Sequence, residues 1–125
     1  MNTPGISHIL LTVTDVARAR AFYGDLLGFK ILGEDAGYFY FAVGEASIWV
    51  ITHERTPADD RFSEFRVGLD HLAFTAPSEE ALNELAEKLI AAGVDTKGVE
   101  VFAPSGNKYV AFRDPDNIQL EYWLD

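Results

Sequence analysis

Cysteine is absent from this 125-residue chain. That excludes disulfides, thiolate metal ligands, iron–sulfur clusters and a cysteine nucleophile, without assigning a redox compartment. Basic residues are scarce, 10 Lys and Arg against 20 Asp and Glu, for a formal charge of −10. A phosphate backbone or an anionic lipid surface is repelled at long range by such a chain, so neither nucleic acid nor a membrane is expected as a partner. No apolar run is long enough to cross a bilayer, and the opening residues carry no basic segment ahead of their first apolar stretch. A soluble, cytoplasmic protein is the expectation. Also missing are a Gly-x-Ser-x-Gly elbow and a Gly-x-x-x-x-Gly-Lys loop, which leaves serine hydrolysis and nucleotide binding without a starting point.

What the chain does have is apolar surface. At 48% hydrophobic and 13% aromatic residues it can offset the entropy of ordering, and its length suits one domain spanning residues 1–125. Ile6 to Val13 is a β-branched and aliphatic run of strand length, followed by Thr14 and Asp15 as a helix N-cap. A helix from Val16 to Leu27 then places Val16, Ala19, Phe22, Tyr23, Leu26 and Leu27 on its buried side, and Gly28 stops it. Phe29 to Asp35 reads as a strand and turn, and Gly37 to His53 as two strands around Gly44-Glu45.

The second half repeats this order. Val67 to Ala76 reads as a strand with His71 at its centre. Pro77-Ser78 precede a helix with Leu82, Leu85, Leu89 and Ile90 on one face, ended by Gly93. Three further strands follow, the last two joined through Pro115-Asp116-Asn117. The sequence Asp114 to Asn117 has calcium-loop residue types, but without the rest of such a loop it reads as a tight hairpin connection. Two strand-helix-three-strand modules are therefore expected, at roughly residues 1–63 and 64–125.

Aligning Ile6–Val13 with Leu69–Ala76 places His8 on His71. Strand alternation puts Ile9, Leu11 and Val13 on the face toward the helix, and His8 on the other; Leu72, Phe74 and Ala76 likewise oppose His71. In the last strand the same division separates Ile118, Leu120 and Tyr122 from Gln119, Glu121 and Trp123. Two imidazoles and a carboxylate on the inner face of a sheet are what a divalent transition metal needs, with positions left for substrate oxygens. The plain alternative is a metal-free pocket in which the three serve as hydrogen-bonding groups. Trp49, Phe102, Tyr109 and Trp123 are candidate walls of an apolar substrate pocket, or ordinary core and dimer contacts.

Phe22–Phe29, Leu69–Phe74 and Phe112–Trp123, in that order within paired modules, resemble the vicinal oxygen chelate superfamily of glyoxalases, fosfomycin-resistance proteins, bleomycin-binding proteins and extradiol dioxygenases. The resemblance spans essentially the whole chain. It implies an α+β fold of two tandem βαβββ modules whose curled mixed sheets form a shared cleft, and a homodimer. It also implies one divalent metal per site (Fe, Mn, Zn, Ni or Co) held by His8, His71 and Glu121, with Glu121 the catalytic carboxylate. The implied activity is Lewis-acid catalysis on a small oxygen-chelating substrate, of lyase, isomerase, thiol transferase or dioxygenase type. Glyoxalase I-like members usually carry a fourth ligand in module one, where an alignment of Ala46–Val50 with Asn117–Glu121 places Val50. Valine neither binds a metal nor accepts a proton, and the nearby Glu45 and His53 are expected at exposed positions. Three ligands look more like the thiol transferases and dioxygenases, although the dioxygenases usually have longer chains. Two further readings compete: a metal-free resistance protein that sequesters an aromatic compound such as an antibiotic, and a degenerate dimerising scaffold.

Overall fold

Each half of the chain folds its first strand parallel to its last one, and a parallel pair needs a long crossover, which the helix supplies. The computed structural model describes residues 2–125, in two compact units that divide in sequence between Asp60 and Arg61. Both are α+β, a four-stranded mixed sheet with one helical segment, so the chain is two tandem βαβββ modules.

Module one contains β1 (His8–Thr12), α1 (Val16–Arg20), β2 (Gly33–Asp35), β3 (Tyr38–Val43) and β4 (Ala46–Ile51), with sheet order β1-β4-β3-β2. The Asp15 carboxylate caps α1 by accepting from the Arg18 backbone N–H at 3.0 Å. From Ala21 to Leu26 the helix widens to π geometry, with Leu27 N–H donating to Phe22 C=O at 2.9 Å. The wider turn lets adjacent Phe22 and Tyr23 both face the sheet, where Tyr23 packs 6.2 Å from Phe39 and 5.8 Å from Phe41. It also turns Leu26 and Leu27 partly outward, so these two are half-buried rather than core. The expected strand from Phe29 shrinks to Gly33–Asp35 because Phe29 folds onto Phe41, ring centroids 4.3 Å apart, and leaves the ladder. Gly33 is required there: a Cβ would come within 2.5 Å of the Tyr40 ring.

Module two contains β5 (Leu72–Thr75), α2 (Glu79–Ala91), β6 (Thr96–Val101), β7 (Lys108–Arg113) and β8 (Gln119–Leu124), with sheet order β5-β8-β7-β6. Ser78 caps α2 through its hydroxyl, 3.1 Å from the Ala81 N–H. Leu82, Leu85, Ala86 and Leu89 bury one stripe; the sheet beneath contributes Val110, Phe112 and Leu120 to the core. Ile90, expected in that stripe, is 61% exposed because it lies a further 100° or so around the helix from Leu89. The strand expected from Val67 begins only at Leu72. Its partner β8 opens at Gln119, with Leu72 paired to Leu120, so among the earlier residues only His71 has a β8 residue to face and 67–70 have none. His71 therefore sits just ahead of the strand and not at its centre. Asp114 makes the preceding turn, its Oδ1 accepting from the N–H groups of Asp116 and Ile118 at 2.8 Å each. Segment 61–66 is clasped to that turn by Phe62 N–H to Asp116 C=O, by Asn117 Nδ2 to Phe62 C=O, and by Arg113 on Glu64 at 2.6 Å.

Candidate metal centre

β8 supplies the centre of the site because its alternation sends Leu120 into the core and Glu121 to the opposite face. Glu121 is nonetheless only 7% exposed. Trp123 donates its indole N–H to Oε1 at 2.6 Å and the Gln119 amide donates to Oε2 at 2.8 Å, so both carboxylate oxygens are held. His71 faces the same carboxylate, its Nε2 3.6 Å from Oε1. Asp70 Oδ1 lies 2.6 Å from the other ring nitrogen, Nδ1. A carboxylate can only accept, so Nδ1 carries a proton and Nε2 is the ring nitrogen turned toward Glu121.

His8, in module one, is exposed at the start of β1, with Ser7 Oγ 3.0 Å from Nδ1, so a neighbouring side chain takes the same nitrogen that Asp70 takes on His71. Among the described residues, no group of three or more His, Cys, Asp and Glu side chains gathers as a metal ligand set. The pair brought together is His71 with Glu121.

Backbone register identifies the module-one counterpart of Glu121. Val13 N–H donates to Ile51 C=O at 2.8 Å and Ala76 N–H donates to Trp123 C=O at 2.7 Å. Leu10 pairs with Trp49 as Ala73 pairs with Glu121. The counterpart is Trp49 and not Val50. Val50 is fully buried on the core face, one residue out of register with the site, and no ligand position exists there. Glu45 is exposed in the β3–β4 turn, and His53 is exposed beside a shallow groove with Thr12, Arg55 and Asp60.

The four candidate wall aromatics divide between the modules. Trp49 stacks on Tyr40 with ring centroids 4.1 Å apart and on Tyr38 at 5.4 Å. Trp123 stacks on Tyr109 at 5.0 Å and meets the edge of Phe102 at 5.4 Å. Beside this second group is a cavity of about 320 Å³ whose lining includes Lys97, Glu100, Tyr109, Arg113 and Gln119. Burial raises the Tyr109 phenol above its usual range, and the Glu100 and Glu121 carboxylates add to the effect. The hydrogen bond from Arg113 lowers the Glu64 carboxyl. Lys97, Glu100 and Arg113 escaped sequence reasoning; alternation along β7 is the signal that puts Arg113 on the Glu121 face.

Residues 5–122 match the family model for the Glyoxalase/Bleomycin resistance protein/Dioxygenase superfamily. Similar proteins include a metallothiol transferase of Lysinibacillus sphaericus, 26% identical across 98% of this chain and 83% of its own length. A catechol-2,3-dioxygenase of Bacillus subtilis is 31% identical over 86% of this chain but 40% of its own. Among solved structures, a glyoxylase/bleomycin resistance protein/dioxygenase domain from Frankia sp. EAN1pec aligns with a TM-score of 0.83 and 34% identity, over 98% of both chains.

Proposed function

This chain belongs to the Glyoxalase/Bleomycin resistance protein/Dioxygenase superfamily, and from that premise we propose that it is a divalent-metal-dependent enzyme acting on a small substrate with two adjacent oxygens. The observation that carries the reading is the approach of two side chains of ligand type, His71 Nε2 to Glu121 Oε1. Donors bonded to one ion at about 2.1 Å each, near the tetrahedral angle, lie about 3.4 Å apart; the observed 3.6 Å fits a shared cation. His8 is the third ligand of this proposal, and Fe, Mn, Zn, Ni and Co all suit two imidazoles and a carboxylate. Once bound, such an ion supplies Lewis-acid stabilisation of charge developing on the substrate oxygens. Asp70 keeps the His71 lone pair on Nε2, and Glu121 contributes the negative charge that balances the cation. Tyr109, Arg113 and Gln119 line the cavity that receives the rest of the substrate. With Trp49 rather than a carboxylate at the fourth position, thiol transfer is favoured over proton shuttling between two glutamates, in line with the metallothiol transferase relative. We place the protein in the cytoplasm, as a homodimer.

Metal content by elemental mass spectrometry on tag-free protein tests the reading. Near one metal per chain is expected, lost in His71→Ala and in His8→Ala with the fold retained by circular dichroism. Stoichiometric metal in either variant contradicts the ligand assignment. A second reading draws on the Phe102–Trp123–Tyr109 group: sequestration of a planar aromatic compound without metal. Tight binding of such a compound by metal-free protein, with no ion taken up on reconstitution, would favour it.

A further inference from the structure

Glu121 is buried on a rung whose cross-strand neighbours are both small. Its partner across β5 is Ala73 and its partner across β7 is Ala111. Neither reaches beyond Cβ, so the carboxylate lies in a slot whose ends are closed by Gln119 and Trp123, its neighbours two residues away on the same face. A carboxylate oxygen has two lone pairs. Trp123 takes one on Oε1 and Gln119 takes one on Oε2; the lone pair left on Oε1 is the one nearest His71. The indole is itself immobilised by the Tyr109 stack and the Phe102 edge, so its N–H is fixed in direction.

We propose that Trp123 and Gln119 are positioning residues that fix the Glu121 carboxylate so that Oε1 faces His71. The inference rests on the metal reading above and concerns how the carboxylate is aimed. Hydrogen bonds to a ligand's free positions restrict its rotamers before any ion arrives, and so remove an ordering cost from binding. In module one the corresponding contact runs the other way: Trp49, at the Glu121 position, donates its own indole N–H to Ser47 at 3.1 Å.

The test uses zinc alone as probe, with affinity measured by competition against a chromophoric chelator. Trp123→Phe keeps the ring stack and deletes the N–H; zinc binding is expected to weaken about 10–100-fold. Gln119→Met should weaken it in the same direction. Leu82→Val loosens the module-two core without touching Trp123, Gln119 or Glu121 and should leave affinity unchanged. In the wild type, the Trp123 indole N–H resonance, assigned by its loss in Trp123→Phe, should move when zinc is added. Wild-type affinity in Trp123→Phe overturns the proposal, as does an equal loss in Leu82→Val, which would trace the effect to packing. A wild-type protein that binds no zinc or other candidate ion fails the metal reading itself, a different result from a zinc-binding wild type whose Trp123→Phe variant is unaffected.

Discussion

At one rung of two sheets assembled from the same elements in the same order, module one carries Leu10, Trp49 and Tyr40, and module two carries Ala73, Glu121 and Ala111. The first rung is filled by an aromatic stack, Tyr40 on Trp49 with the rings 11° from parallel. The second is hollow only in the sense that alanines flank it, and it holds a carboxylate that is itself buried. Cores beneath the two rungs use the same device, alternate apolar residues packed under a helix, with Ile48 and Val50 in one sheet and Leu120 and Val110 in the other. A repeated fold therefore constrains the inward face, while the outward face is free to carry side-chain stacking in one copy and chemistry in the other.

The largest effect expected from disturbing this contrast comes from making module two resemble module one. Ala111→Leu puts a large side chain against the buried Glu121 carboxylate, and zinc affinity should fall about 100-fold, the upper end of the range for residues that orient a ligand. Unchanged affinity would mean that the hollow rung is incidental.

A smaller effect separates the inward face from the outward one. Burial pushes the Tyr122 phenol up to about 12 from its ordinary 10.0. The folded state thus holds the phenolic proton more tightly than the unfolded chain does, and stability intact below pH 10 is lost as pH rises through about 12. Tyr122→Phe should flatten the alkaline fall of the thermal midpoint, while zinc affinity at neutral pH stays as in the wild type.

The smallest effect concerns the clasp on segment 61–66. Arg113 lowers the Glu64 carboxyl, so the pair's contribution is present above the ordinary carboxyl value and lost as pH falls through the depressed one. Glu64→Gln should lower the thermal midpoint slightly at neutral pH and not at low pH, flattening the acid dependence by the same small amount because the pair is solvent-screened.

Much of this was legible from local chemistry. Asp15 and Ser78 are caps whose residue types announce the helices, and alternation assigns faces correctly along β1, β5 and β8, down to Glu121 opposing Leu120. What local chemistry does not encode is pairing. The strand expected from Val67 is cut short because β8 offers no residue before Gln119, which leaves His71 at its edge, and Trp49 rather than Val50 matches Glu121 because register depends on partner strands distant in sequence. The π-helical stretch was equally hidden: its cause is the packing of Phe22 and Tyr23 on β3, a tertiary demand that overrides the regular helical spacing. The positions of Trp123 and Gln119 on Glu121 follow from alternation, but the short contacts that make them matter depend on the alanines across two other strands.

The most direct measurement is metal content per chain in two matched variants, Glu121→Ala and Trp49→Ala, purified and analysed beside the wild type. Metal lost in Glu121→Ala and retained in Trp49→Ala is expected if module two's hollow rung is the functional one and its module-one counterpart is packing. Metal retained in Glu121→Ala, or lost equally in both folded variants, would contradict it.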